Sequence, residues 1–324
     1  MEKTIKTVLL MALPASGKSE VRKYLDNLST KECREHFHMG LTVQLDDFPY
    51  VHFMRRIDEE LKALGQEYIY YHAPDKNFAN PLVWGALIEI LNQDYQDLIN
   101  KPPLNPPSPA RYMFWKLDMA LSKVGGETLL NKLPVGIQDK LADKLDEEAG
   151  QMLKEKKAGI PDTLEEKTVV MEFARGGADG SKFPLEDPYG YQYSLRMLSE
   201  EILESAAILY IWVTPEESRR KNDDRTDPND PGSILHHGVP MYVMMNDYGC
   251  DDMEYLLEQS DIANTVTVEA HGKTFHLPVG RVDNRNDLTT FLRGDPRTWD
   301  KAATEKLRTE LNGAFSRLWE QYNK

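Results

Sequence analysis

The sequence has few cysteines, no long hydrophobic run and too little positive charge for its size. Only two of its 324 residues are cysteine, Cys33 and Cys250, and they lie far apart in unrelated contexts. Neither belongs to a CxxC or CxH cluster, so the spacing gives no zinc site and no dithiol pair, and a reducing cytoplasmic setting is expected. No stretch reaches the roughly 18 uninterrupted apolar residues that a spanning helix needs. The apolar start, residues 1–11, runs into a glycine-lysine loop rather than a small-residue cleavage site, which argues against a secretory signal. Lys and Arg number 39 against 53 Asp and Glu, a formal charge of −14. Affinity for a nucleic-acid backbone needs a basic face, so neither nucleic acid nor membrane is expected as a partner. No internal repeat and no low-complexity tail is evident.

With 40% hydrophobic residues, the chain has the means for a buried core. Residues 6–12 are β-branched and aliphatic and predict a fully buried strand. A helix is expected over residues 19–27, with Val21, Tyr24 and Leu25 on one side. A second strand, residues 41–45, ends in Asp46-Asp47. Nearly everything from residue 51 to about 157 predicts helix, interrupted by the proline-rich loop 102–109. Strand character returns at 168–173 and 206–214, with an amphipathic helix over 191–204 between them. This β-α-β order belongs to a parallel sheet. Pro215 opens a helix over 216–224, at a position where its missing N–H costs nothing. Residues 226–240 are rich in Pro, Gly, Asp and Asn and predict a loop, in which His236-His237 is expected to be exposed. Strands at 265–270 and 273–277 flank His271-Gly272 as a hairpin. Residues 280–283 continue that sheet, and a terminal helix spans about 298–322.

The segment from Ala12 to Ser19, ALPASGKS, follows a buried strand and opens a helix. A helix start leaves backbone N–H groups without intrahelical partners, and these suit an anion. Pro14, Ala15, Ser16, Gly17, Lys18, Ser19 and Glu20 are the expected phosphate contacts. Gly17 lets the main chain approach closely, Lys18 brings a charge to the β and γ phosphates, and the Ser19 hydroxyl suits magnesium. Ala12 stands where the usual pattern has a first glycine, tolerable at negative φ.

Asp46-Asp47 is where a second parallel strand delivers carboxylates beside such a loop. One of them is expected to bind magnesium through water or to accept a proton from an attacking hydroxyl. Glu172 closes a buried strand and is the expected magnesium-organising carboxylate. Arg175, three residues on, either grips an acceptor phosphate or pairs with Glu172. Arg219, Arg220, Lys221 and Arg225 lead into the 226–240 loop. A cation arriving from there could stabilise charge on a transferring phosphoryl group.

Four pieces thus occur in one order: ALPASGKS, LDDF, VVMEFARG and PEESRRKNDDR. In this the chain resembles the nucleoside-monophosphate-kinase-like group of P-loop kinases, which includes small-molecule kinases. The resemblance covers about half the chain. It implies a P-loop NTPase fold, three-layer α/β/α with a mostly parallel central sheet, here carrying a large helical insertion between strands 2 and 3. Residues 1–50 and 166–324 would form the nucleotide-binding core and 51–165 the insertion, a region for the acceptor or a lid. It also implies ATP, or GTP, as donor, Mg2+ as cofactor, lid arginines from Arg219, Arg220 or Arg225, and residues 282–285, including Asn284, near the base.

The leading expectation is phosphoryl transfer to a small acceptor. The alternative is a nucleotide-dependent switch, or an NTPase acting on a protein partner. No NKxD base-reading motif supports a GTPase, and the DxxG match at Asp187-Pro188-Tyr189-Gly190 lies too far beyond its strand. The insertion's aromatics, Tyr68, Tyr70, Tyr71, Trp84, Tyr112, Phe114 and Trp115, are expected to be packing.

Overall fold

In a computed structural model, which describes residues 4–225 and 238–324, the chain divides into two compact units. One comprises residues 1–44 and 165–324, the other 45–164.

The first unit is built on the sheet. Strand β1 (Thr7–Met11) is followed by α1 (Lys18–Asp26), α2 (Thr30–Phe37) and β2 (Leu41–Asp46). The second unit contributes α3 (Phe48–Ala63), α4 (Val83–Asn100), α5 (Pro109–Lys123) and α6 (Val135–Gly159). The chain then returns through β3 (Lys167–Phe173), α7 (Gly190–Met197), α8 (Glu200–Leu203), β4 (Ala206–Trp212), α9 (Pro215–Arg225), α10 (Met241–Asn246) and α11 (Met253–Gln259). It closes with β5 (Thr265–Ala270), β6 (Lys273–Asp283) and α12 (Lys301–Tyr322).

The sheet has six strands in the order β2-β3-β1-β4-β6-β5. Strand β1 runs parallel to both β3 and β4, so Leu9 lies opposite Met171 on one side and Ile208 on the other. Strand β6 is parallel to β4, and β5 pairs antiparallel to β6 through a hairpin. His271 and Gly272 take φ of 54° and 72° there, as a tight hairpin turn requires. Residues 273–283, expected as two pieces, form one strand.

All five residues of β1 are buried, as its uninterrupted apolar run dictates. Val8 and Leu10 pack with Val170 and Leu209 into a core that also takes Val21 from α1, Phe37 from α2 and Phe315 from α12. Phe37 and Phe315 lie 5.2 Å apart, centroid to centroid. On the other face Phe173 meets Tyr191 of α7 at 6.1 Å. Helices on both faces of a mostly parallel sheet make the unit α/β, compatible with a three-layer α/β/α arrangement.

Two helical details differ from expectation. Helix α2 went unread, although Ser29 and Glu32 form a full capping box at its start. The single helix expected over 191–204 is two, because Leu198 takes an extended ψ of 146° and breaks the run. The expected loop at 226–240 and His236-His237 fall largely outside the described residues, as does the Arg225 side chain.

The helical unit overturns the expectation of no internal repeat. Shifting the numbering by 60 superposes residues 48–71 on 108–131. Pro49 falls on Pro109, Asp58 on Asp118, Leu61 on Leu121, Gly65 on Gly125 and Glu67 on Glu127. The hydrogen bonds repeat with the sequence. Asp58 accepts from the backbone N–H of Ile69, Tyr70 and Tyr71 at 2.8–3.2 Å. Asp118 accepts from Leu129, Leu130 and Asn131 at 2.8–3.1 Å. Gly65 and Gly125 both have positive φ, 74° and 85°, and the next residue in each case bonds back to Leu61 or Leu121 at 2.9 Å. Each repeat is therefore a helix, a turn whose amides a buried aspartate gathers, and a second helix. The turns also add two breaks, at 64–82 and 124–134, to the one expected at 102–109.

Among the described residues, no helix is long and apolar enough to cross a membrane.

Candidate functional site

In an open parallel sheet, ligands favour the carboxyl ends of strands where successive connections leave in opposite directions. Here that point lies between β1 and β4, since β1 leads towards β2 and β4 towards β6. The loop after β1, residues 12–17, therefore occupies the expected crevice.

Side chains from distant parts of the first unit shape this loop. The Tyr191 hydroxyl donates to the carbonyl of Ala12 at 3.0 Å. The Ser218 hydroxyl, in the first turns of α9, donates to that of Pro14 at 2.6 Å. Asn284 Nδ2, just after β6, donates to that of Ser16 at 2.7 Å and to Thr289 Oγ1 at 2.9 Å. Burial holds the Tyr191 hydroxyl well above its ordinary pKa, so it stays a donor. A trans peptide points its N–H opposite its carbonyl. Engaging the Pro14 and Ser16 carbonyls therefore turns the amides of Ala15 and Gly17 the other way.

The curl also depends on backbone that only certain residues tolerate. Ala15 takes φ 56° and Gly17 φ 101°. A Cβ on Gly17 would stand 2.4 Å from Thr289 Oγ1 and 2.6 Å from Asn284 Nδ2, so both the torsion and the space demand glycine. Gly17 caps α1 and, having no side chain, makes no side-chain cap hydrogen bond to its first turn. Lys18 is buried, and its ammonium donates to the carbonyls of Ala12 at 3.0 Å and Leu13 at 3.1 Å.

Beside it, Ser19 Oγ donates to Glu172 Oε1 at 3.0 Å, and Arg22 Nη1 pairs with Glu172 Oε2 at 3.0 Å. The parallel register of β1 and β3 makes this possible by setting Glu172 opposite Leu10. Glu20 is buried and takes Arg293 Nε at 2.8 Å.

The arginines separate. Arg220 is exposed and bonds Glu217 and Asp224 along its own helix surface. Arg219 has only 17% of its side chain exposed, with Glu216 at 3.6 Å, and its Nη1 is buried with no hydrogen-bond partner among the described residues. Lys221 is buried and bonds the Asn284 carbonyl at 3.0 Å and Asp287 at 3.3 Å. Arg175 is buried, with Nη1 on the Ala174 carbonyl at 2.6 Å and its guanidinium 5.3 Å from the Phe173 ring. Asp46 ends β2 and accepts from Phe48 N at 2.8 Å; Asp47 is buried at the start of α3.

At the ends of β4 and β6, the guanidinium carbons of Arg281 and Arg285 lie 3.9 and 4.2 Å from the Trp212 ring centroid. On the opposite sheet face from α1, Tyr210 donates to both oxygens of Asp251 at 3.0 Å. Burial pushes the Asp251 carboxyl up to about 7, against the Met253 amide and Tyr210 hydroxyl that favour its charged form. Neighbouring Asp252 binds the Tyr191 and Gln192 amides at 2.6 and 2.9 Å. Among the described residues, no group of three or more His, Cys, Asp or Glu could hold a metal.

Sequence reasoning missed Arg22, Tyr191, Ser218, Thr289 and Arg293. Arg22 was legible in principle, one helical turn beyond Lys18. The others act on the loop from segments whose approach only the folded sheet defines.

Comparison with protein-family models, with curated proteins and with solved structures finds no match.

Proposed function

We propose that the chain is a P-loop phosphotransferase that passes the terminal phosphoryl group of ATP, or of GTP, to a small-molecule acceptor in the cytoplasm. The supporting observation is the loop 12–17 closed around the Lys18 ammonium, with Ser19 and Glu172 joined beside it. The amides of Ala15 and Gly17, and those opening α1 at Lys18, Ser19 and Glu20, receive the phosphate oxygens. Pro14 and Ser16 present their carbonyls to the struts that hold the curl open. Lys18 exchanges carbonyl contacts for phosphate oxygens, where its point charge has the most to stabilise.

The Ser19 and Glu172 oxygens, 3.0 Å apart, are a donor set that fits a hard divalent cation. Ser19 and Glu172 would hold Mg2+, which when bound neutralises charge on the phosphate oxygens. Arg22 orients Glu172 through its ion pair. Arg219, whose buried Nη1 has no acceptor among the described residues, is the guanidinium reserved for charge developing on the moving phosphoryl group, and Arg225 is the second. Arg220 lies on the outer surface of α9 and Asn284 supports the loop, so each serves the nucleotide less directly.

A nucleotide-dependent switch, or an NTPase acting on a protein, is the second reading, favoured by an open apolar cleft in the helical unit. The deciding experiment incubates purified protein with Mg-ATP labelled on its terminal phosphate and a mixed pool of small metabolites. A new labelled small molecule, lost in Lys18→Ala, is the expected result. Tight ATP binding without any such product would favour the switch.

A further inference from the structure

The two repeats of the helical unit share a frame and differ in what covers it. On α5, Arg111, Trp115 and Met119 recur at helical spacing and form one exposed stripe, with Trp115 57% and Met119 47% accessible. The 60-residue register places Val51, Arg55 and Glu59 at the same positions on α3. There the part of the face at Val51 and Arg55 is roofed from within, while Glu59 stays exposed. The Tyr71 ring lies 4.4 Å from the Arg55 guanidinium carbon, and its hydroxyl donates to the Val51 carbonyl at 3.1 Å. Phe78 stacks on Tyr71 at 4.7 Å, and the two residues pair as an antiparallel bridge. Ala79 N closes the small hairpin on the Tyr70 carbonyl at 2.8 Å. Both rings are buried.

In the second repeat the register partner of Tyr71 is Asn131. The connection, residues 124–134 rather than 64–82, reaches α6 almost directly after Asn131 and leaves no counterpart of the Tyr71–Phe78 hairpin. What remains is a cleft of about 250 Å³ lined by Arg111, Phe114, Trp115, Met119, Leu130 and Asn131. Exposed Trp and Met around a cleft of this kind mark a recognition surface.

We infer that this cleft docks an extended segment of a partner protein, which lays an aromatic side chain over Trp115. The segment supplies from outside the roof that residues 70–79 supply inside the first repeat. That roof identifies the occupant's chemistry, since the same frame is filled there by a ring presented on extended main chain. The inference is independent of the nucleotide site.

The test selects unstructured 12-residue peptides displayed on phage against the full-length protein. Enriched sequences should share one aromatic position. Their synthetic forms should bind wild type and lose roughly tenfold or more affinity on Trp115→Ala. Asn131→Tyr, which writes the first repeat's ring into the second cleft, should abolish binding. Both positions are exposed, so circular dichroism should show unchanged melting and calorimetry unchanged ATP binding. No enrichment, a consensus without an aromatic residue, or binding indifferent to both substitutions would overturn the inference. Free p-cresol or indole binding as tightly as the peptides would make the cleft a small-molecule site instead. A wild-type dimer in sedimentation that Asn131→Tyr dissolves would make it a self-interface.

Discussion

Two buried lysines, one in each unit, show how one side chain serves opposite ends. Lys18 donates to the carbonyls of Ala12 and Leu13 in a loop whose shape is maintained from outside by Tyr191, Ser218 and Asn284. Lys116, 2% exposed, donates to the Asp94 carboxylate at 2.7 Å. Lys156 binds the same carboxylate at 2.5 Å and also pairs with Asp97, while the Tyr50 hydroxyl takes the other Asp94 oxygen at 2.6 Å. Burial draws the Lys116 ammonium below its ordinary pKa, against the pull of Asp94. Burial also opposes the Asp94 charge, yet Lys116 and Lys156 outweigh it and hold that carboxyl below the ordinary range. A knot of opposite charges stabilises only while every member is present. A loop that grips a cation by dipoles can trade them for a phosphate. The first arrangement is architecture and the second is a seat.

The largest effect should come from cutting the knot. Lys116→Ala leaves Asp94 short of the more deeply buried of its two cations and should cost about 3–5 kcal/mol in denaturant unfolding. ATP affinity of the folded fraction should stay within about twofold. Loss of binding in fully folded protein would erase the contrast between the lysines.

Lys18→Ala should do the reverse, weakening ATP binding roughly 100-fold in calorimetry with little change in unfolding midpoint. An unaltered affinity would remove the seat from residues 12–19. Asn284→Ala removes one strut rather than the charge. It should cost roughly tenfold in affinity, about the worth of one buried hydrogen bond.

The units should also answer pH with opposite signs. The depressed Asp94 pKa gives stability that is present above its unfolded value, near 4, and is lost as pH falls below it. The Asp251 pKa, raised to about 7, gives stability that is full below about 4 and is lost as pH rises through 7. Burial sets it, opposed by the Met253 amide and the Tyr210 hydroxyl and reinforced by the charges of Asp252 and Glu254. Between pH 4 and 7, wild type should therefore lose roughly 1–3 kcal/mol relative to Asp251→Asn in parallel denaturant titrations. A flat difference would show that the carboxyl is not held protonated.

The smallest effect belongs to Arg220→Ala. Its ion pairs with Glu217 and Asp224 lie on a solvent-screened helix surface, so the unfolding midpoint and the turnover should both hardly change. Arg219→Ala, one residue away, should depress turnover far more than ATP affinity. Equal behaviour of the two would withdraw the role given to Arg219.

What could be read in the sequence was whatever local rules express. The buried run before ALPASGKS, the His271-Gly272 turn and Pro215 at a helix start each declare themselves within a few residues. The Ser29 and Glu32 capping box was equally local and went unread. The repeat was hidden for a physical reason. Asp58 and Asp118 bind backbone amides, which leave no trace in side-chain identity, and the unequal connections blur the period. The struts on the loop were beyond reach because Tyr191, Ser218 and Asn284 become its neighbours only through strand order. Trp115 was expected to be packing, and 57% of it is exposed. Periodicity places a residue on a helix face but does not say whether chain remains to cover that face.

The position of β1 has a consequence for synthesis. It leaves the ribosome well before the strands that flank it, which begin only at Lys167 and Ala206, and the amide that fixes Ser16 comes later still, at Asn284. Loop closure over such separations is slow, and the early segment must wait unsupported. Residues 12–19 are thus translated long before they can mature, so a triphosphate would reward only a chain already extended past Asn284.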